Sequence, residues 1–300
     1  MNTNRYQRGQ AMVLSLVFLT VFLGIAAAVI DVGAWYRAHR QVQAIADASA
    51  LAGATSLPES TQDASGLALD YADRNGGGVK PADVTFSSTN VADDTIEVTA
   101  RKQIPGLFAR LFGLGSVTAR AHAKALSGVP GSAKWAAPIA VDVRHEKLQC
   151  KPLPCFDQPT ELDLDKVGPG AFHIINIDGT RGGISPQTMG TWVETGLDAY
   201  MPLKWYYSDP GSKFNSSNMR DALDNRIGTE LLFPVYRGIR AEGAGFDYEV
   251  IGWVGFHLTG YSIGGKGKLF GWFTRVIWDG IQSEPATGDD FGARSVSLVE

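Results

Sequence analysis

Residue types able to do chemistry are sparse in this chain and stand far apart. Two cysteines, Cys150 and Cys155, flank the string KPLP. Outside the cytoplasm thiols commonly pair, and this span can close a small loop. A redox pair ordinarily has two residues between its cysteines and lies near a helix start, and two cysteines cannot build a four-cysteine zinc site. A structural disulfide is the preferred reading, with free thiols and a redox or metal pair as alternatives. DLDKVGPG supplies Asp163 and Asp165, and NIDGTRGG supplies Asn176 and Asp178, as alternating oxygens near glycine. Such oxygens can take calcium, but the full twelve-residue loop with its terminal Glu is missing, and turn formation accounts for both stretches. The five histidines, His39, His122, His145, His173 and His257, are scattered without a His-x-x-x-His pairing, and His145-Glu146 has no second histidine after it. Gly260-Tyr261-Ser262-Ile263-Gly264 has the Gly-x-Ser-x-Gly form, but it runs into SIGGKGK, which joins two strands without the helix that a nucleophile elbow or phosphate binding needs. No metal site, cofactor or enzyme activity is expected. An exported hydrolase would have to start from Asp163, Asp165 and His173. An anchored module for wall or surface polymers would start from Trp205, Tyr206 and Tyr207.

The elements that must position these residues begin with a membrane-length run. Ala11 to Ile30 carries no formal charge, and at about 1.5 Å per residue it makes ~30 Å of helix, the thickness of a bilayer core. Ser15 and Thr20 are its only polar interruptions, and their hydroxyls can bond back to helix carbonyls. The core of a cleaved signal is usually shorter, about 7–15 residues, so a retained anchor is preferred, although Ala26 to Ala28 could mimic a cleavage site. Arg5 and Arg8 precede the run and Arg37 and Arg40 follow it, so the positive-inside rule is tied. The short N-terminal flank without an acid favours an N-terminus inside and the bulk outside. DVGAWYRAHRQVQAIADASALAGA continues with good helix formers and no proline. Trp35, Ala38, Val42, Ile45, Ser49 and Ala52 fall on one mostly apolar stripe, and Pro58 ends the pattern. One continuous helix is expected, the alternative being an anchor and a separate helix broken near Gly33. Asp31 marks the membrane edge; it reads either as a solvated boundary residue or as the group that sets that edge. Asp47 reads either as an outer-face polar position or as a bond to a partner helix.

These residues resemble a family. Arg8, Gly9 and Gln10 before the run, Asp31 and Gly33 at its end, then Gln43, Asp47, Ala48, Ala50, Leu51, Ala52 and Gly53 are similar to the N-terminal segment of Tad (Flp) pilus-assembly proteins of TadE/TadG type. The resemblance implies a single-pass protein of the cell (inner or plasma) membrane. Its partners would be the lipid bilayer and other pilus-assembly or envelope proteins, and its role a non-enzymatic accessory one. One position departs. Pilin-like precursors are cleaved after a Gly and carry Glu five residues on; counted from Gly9, that position is Leu14. Prepilin-type cleavage and packing as a filament subunit are therefore not expected. Some TadG relatives carry a metal-dependent adhesion domain, but DASAL at Asp47 lacks the second serine of its motif and sits in a helix.

The remaining pattern predicts an α+β chain: a cytoplasmic tail over 1–10, a transmembrane helix over 11–30, and a pseudopilin-like helix-plus-small-sheet domain over 31–126. A linker over 127–134 and a β-rich extracytoplasmic domain with short helical insertions over 135–300 complete it. In the first domain, STQDASGLALDYADRNGGG predicts a helix capped by Ser60 or Thr61 and stopped at Asn75-Gly76. ADVTFSSTN and DTIEVTARKQI predict a hairpin around an Asp-Asp turn, and PGLFARLFGLGS predicts a helix starting at Pro105. SVTARAHAKAL predicts a strand with alanines on one face and Thr118, Arg120, His122 and Lys124 on the other. All tryptophans but Trp35 lie from Trp135 onward. There AAPIAVDV, AFHIINID, LLFPVYRGI, FDYEVIGWVGFHLTGYSI and GKLFGWFTRVIWDGI predict strands, with a bulge near Gly252 and Gly255. SPQTMGTWVETGL predicts a helix capped by Ser185 with Pro186 in its first turn, and SNMRDALDNRIG predicts one that starts at Ser217 or Asn218 and stops at Gly228. This end of the chain also resembles, more loosely, the C-terminal half of some TadG-like proteins. With 27 basic and 31 acidic residues and a net charge of -4, no basic field exists to gather nucleic acid.

Overall fold

The computed structural model describes residues 4–113, 115–150, 155–164, 170–208, 214–242, 245–263, 267–278, 280–282 and 289–299. It divides into two compact units, Met1–Leu126 with Leu298–Glu300, and Ser127–Ser297.

The first unit is built on one helix, α1, Asn4–Ala54, of 51 residues. Helix formers run unbroken through Gly33, so the continuous reading holds and the break does not occur. From Ala11 to Ile25 every residue is exposed. Beyond the apolar run the stripe predicted from spacing is the one that packs: Val42, Ile45, Ser49 and Ala52 are buried, with Trp35 and Ala38 half-buried beside them. A short turn leads to α2, Thr61–Arg74, whose Ser60 hydroxyl accepts from the Asp63 N–H at 3.1 Å. Ala64, Ala68 and Ala72, one per turn, form its buried edge. Small residues on both helices let the backbones approach closely.

Three strands complete this unit as an antiparallel meander: β1, Val84–Ser87; β2, Thr95–Pro105; and β3, Ser116–Gly128. The predicted alternation holds. Ile96, Val98 and Ala100 from β2 and Ala119, Ala121, Ala123 and Ala125 from β3 are buried, while the Thr118–Lys124 polar set lies on the other face. At the chain's end the Val299 N–H donates to the Lys124 carbonyl at 2.9 Å. The helix expected from Pro105 is not formed. Pro105 ends β2 instead, and only a 3-10 turn, Ala109–Phe112, follows, closed by Gly113 in the left-handed region at φ 83°. Glycines at 106, 113 and 115 leave too few residues for an α-helix between two strands already in register.

The second unit is mainly strand. Its elements are β4, Ser132–Ala133; β5, Ile139–Asp142; β6, Thr160–Leu164; β7, Ala171–Ile174; α3, Pro186–Glu194; β8, Met201–Pro202; and β9, Trp205–Tyr207. There follow α4, Ser217–Arg226; β10, Glu230–Glu242; β11, Gly245–Ser262; β12, Lys268–Thr274; β13, Val276–Ile277; β14, Ile281–Gln282; and β15, Ala293–Leu298. Ser185 caps α3 as expected, and α4 starts at Ser217, one of its two expected starts, with Ser216 as its cap.

Sheet order is β10-β5-β7-β6-β12-β11-β9, and β10 also pairs with β11. Six strands therefore return on themselves as a closed barrel, and β9 attaches outside it along β11. Closure removes sheet edges and buries a core of Trp253, Phe172, Phe233, Phe256, Phe273 and Tyr236. The bulge expected near Gly252 is present: Val235 pairs with Gly252 but Tyr236 pairs with Val250, leaving Ile251 as the extra residue. A Cβ on Gly252 would lie 2.6 Å from the Phe291 ring, and one on Gly255 2.5 Å from Val276. Both glycines therefore make room for chain packed on β11.

Candidate functional site

The best-defined constellation in the first unit surrounds Asp31, the first charged residue after the apolar run. Asp31 is 3% exposed. Its Oδ1 accepts the Leu107 N–H at 3.0 Å, and its Oδ2 accepts the Phe108 and Ala109 N–H groups at 2.9 and 2.5 Å. The carboxylate thus caps the start of the 3-10 turn between β2 and β3, using donors that a short turn leaves without partners. Asp31 is not a solvated boundary residue. Its partners lie 76 to 78 positions away in sequence, beyond the reach of any local pattern.

Further along α1, the Gln43 amide donates to Asp47 Oδ1 at 2.7 Å and to the His122 carbonyl at 3.1 Å. Asp47 thereby orients Gln43, and Gln43 fastens the helix to β3. Asp47 bonds its own helix one turn back. The His122 ring meets Glu97 at 2.8 Å on the outer face of the sheet. At Gly53 three elements converge: a Cβ there would meet Ile96 Cδ1 at 2.5 Å, the Ala64 carbonyl oxygen at 2.9 Å and Ala68 Cβ at 3.2 Å. Gly33 has open space around the position of a Cβ. Arg8, Gly9 and Gln10 lie within α1.

In the second unit the described residues singled out for chemistry have structural partners. Cys150 and Cys155 form a disulfide, with Cα atoms 5.4 Å apart. Asp163 on β6 meets Lys268 at 3.4 Å, and Lys268 also pairs with Glu161. The His173 ring on β7 stacks on Tyr248 at 4.8 Å and edges against Tyr236 at 5.7 Å. Asp165 and the tip of the SIGGKGK turn lie outside the described residues. Asp178 accepts the Thr180 N–H and hydroxyl, and buried Asn176 clamps the Thr180 and Gly182 carbonyls, so both act as turn residues. Among the described residues no group of three or more His, Cys, Asp or Glu is placed to hold a metal. The aromatic strip is not flat and open either: Tyr206 is 1% exposed, Arg240 lies 4.6 Å over the Trp205 ring, and Arg181 lies 5.7 Å over Tyr207. Both guanidinium groups are drawn onto the buried Asp247 carboxylate, at 2.8 and 2.9 Å.

Asp94, Asp142 and His145 are buried titrating groups that no motif signalled. Asp94 accepts from the Thr89, Asn90 and Val91 N–H groups and the Thr95 hydroxyl. Asp142 takes a bidentate Arg144, at 3.0 and 2.6 Å, and the Tyr236 hydroxyl at 3.4 Å. Burial alone would raise both carboxyls, but these bonds, and for Asp142 the Arg144 charge, outweigh it and hold both below the ordinary 3.8. Burial holds His145 below 6.5, and its Nδ1 accepts the Lys147 N–H at 3.1 Å. In all three the folded state binds its proton less readily than the unfolded chain does. The stability each contributes is complete above its ordinary value and is lost as pH falls through the folded value. Acid titration followed by tryptophan fluorescence is expected to show two losses of stability, a first below pH 6.5 that His145→Gln removes, and a second below 3.8 that it leaves in place. A single loss unaffected by His145→Gln would contradict the assignment.

The disulfide yields a second expectation. A six-residue loop restricts the unfolded chain by about 2 kcal/mol on the loop-entropy model. Cys150→Ser with Cys155→Ser should lower the unfolding free energy of the second unit by that amount, read by denaturant titration.

Among the described residues one helix is long and apolar enough to cross a membrane, near the N-terminus, and it leads into a small sheet bonded to it through Asp31 and Gln43 and packed closely against it at Gly53. This is the architecture of a membrane-anchored stem. The family described as putative Flp pilus-assembly TadE/G-like matches residues 9–56, from before the apolar run to just past Gly53. That segment is similar to TadE/G-like Flp pilus-assembly domains, and with the apolar helix it fits a single-pass, membrane-anchored protein. No curated protein and no solved structure matches the chain.

Proposed function

We propose that this chain is a single-pass envelope protein of TadE/TadG type, a non-enzymatic accessory in Flp/Tad pilus assembly or secretion. The observation that carries the reading is where the matched segment puts its polar and small residues. Asp31, Gln43 and Gly53 join the helix to its own sheet, so the membrane run and the small domain move as one stem. The disulfide supports placing the second unit outside the cytoplasm, where thiols oxidise, with the N-terminus inside. Leu14 stands where a pilin-like precursor would carry Glu, which supports a permanent anchor over a processed filament subunit.

Loss of surface pili on deletion of this chain, with full restoration by a variant carrying both Asp163→Asn and His173→Gln, is the expected result. No loss of pili would sink the assembly role. Restoration by the wild type but not by that variant, at equal protein levels, would sink the non-enzymatic one. Mass spectrometry of the mature protein should find no terminus at Gln10; finding one there would show that prepilin-type cleavage takes place.

A further inference from the structure

We infer that the turn between β2 and β3, residues 106–113, is a second membrane-contacting element that lies in the lipid interface beside the point where α1 leaves the bilayer. Depth comes first. Asp31 follows the last residue of the uncharged run, and its carboxylate is bonded to the amides of residues 107, 108 and 109. The turn therefore sits at the level where the run ends. Surface chemistry comes second. Leu107 is 62% exposed, Phe108 39% and Leu111 81%. These are three large apolar side chains left uncovered within one short turn. They continue the exposed apolar surface of Val29, Ile30 and Val32 on the helix.

Backbone satisfaction is the third argument. A chain segment can leave water only if its N–H groups have partners within the protein. Leu107, Phe108 and Ala109 donate to Asp31; Gly106 donates to the Gly115 carbonyl, Leu111 to that of Phe108 and Gly113 to that of Arg110. An exposed turn in water would not need this degree of satisfaction. Charge is the fourth. Arg110 on the turn, with Arg37 and Arg40 on the helix about two turns past Asp31, is exposed. Tyr36 beside them is 60% exposed. Long basic side chains and tyrosine are suited to the headgroup layer. The occupant of this apolar face is thus the lipid surface itself, continuous with the surface that the membrane run already faces.

The inference rests on the membrane-anchored reading, and the test separates the two. The full-length protein is reconstituted in vesicles of phosphatidylethanolamine and phosphatidylglycerol with one added cysteine, Leu111→Cys, Leu19→Cys or Thr85→Cys, carrying an environment-sensitive fluorophore. Leu19 reports the membrane run and Thr85 the exposed side of β1. The expected result is blue-shifted emission at Leu111 that is quenched by lipids brominated near the headgroup, quenching at Leu19 by deeper bromines, and water-like emission at Thr85. Adding Asp31→Ala should return the Leu111 probe toward water-like emission while leaving Leu19 quenched. Water-like emission at Leu111 with Leu19 still quenched would overturn the inference and leave this face to a protein partner. An unquenched Leu19 would overturn the membrane-anchored reading and the inference with it. An Asp31→Ala protein whose Leu111 probe stays quenched would overturn the role of Asp31 in holding the turn at that depth.

Discussion

Asp31→Ala is expected to raise hydrogen exchange of the amides at 107, 108 and 109 by about a hundredfold or more, and to lower the stability of the first unit by about 3–5 kcal/mol. Those amides donate to a carboxylate that is 3% exposed. Hydrogen bonds to a charged group contribute roughly 1.5–3 kcal/mol each, and a donor stranded without its acceptor costs about 1–3 kcal/mol. The three share one carboxylate and do not add in full, which places the total at about 3–5 kcal/mol. Asp31→Asn keeps one oxygen acceptor of the same shape but turns an N–H₂ group toward the remaining donors, so it should fall between wild type and alanine. Exchange measured by mass spectrometry on the detergent-solubilised protein reads this directly. Wild-type protection of residues 107–109 in the alanine variant would show that the carboxylate is dispensable.

Gly53→Val is expected to lower the melting temperature of the first unit by roughly 10–20 °C, from a loss of about 3 kcal/mol spread over a domain of this size. The Cβ alone would stand 2.9 Å from the Ala64 carbonyl oxygen and 2.5 Å from Ile96 Cδ1. The isoleucine terminus can turn aside; the carbonyl belongs to the α2 backbone and cannot move without shifting that helix. Gly53→Ala puts the same Cβ against the Ala64 carbonyl but adds no γ-methyl groups and gains about 1 kcal/mol in helix propensity, so it should lose less than valine. No loss for either variant would mean that α2 is not held against this position. Neither substitution should alter the second unit, whose core, built around Trp253 and the phenylalanines of the barrel, is formed within that unit.

What was legible in advance follows a simple physical division. The apolar run, the stripe through Val42, Ile45, Ser49 and Ala52, the caps at Ser60 and Ser185, and the alanine face of β3 all arise from spacings within one element, where hydrophobic period and capping chemistry act locally. The turn at 106–113 was misread because Leu107, Phe108, Leu111 and Phe112 have helical spacing, while the register of β2 against β3, set far from the turn, leaves room for a single 3-10 turn only. The barrel was read as a set of strands, but its closure depends on β10 pairing with both β5 and β11, and strand order is not encoded in any one strand.

The candidate site divides in the same way. Sequence alone determined that a charge-free run of membrane length passes into a continuous helix carrying Asp31, Gln43, Asp47 and Gly53, because composition and period suffice for that. Only the tertiary structure decided what those residues do. Asp31 holds a turn 76 residues away, Gln43 reaches β3, Gly53 admits α2 and β2, and Tyr206 goes into the core instead of onto a binding strip. A carboxylate at a membrane edge looks solvated until the donors that desolvate it are brought to it, and those donors come from chain that no local pattern can place.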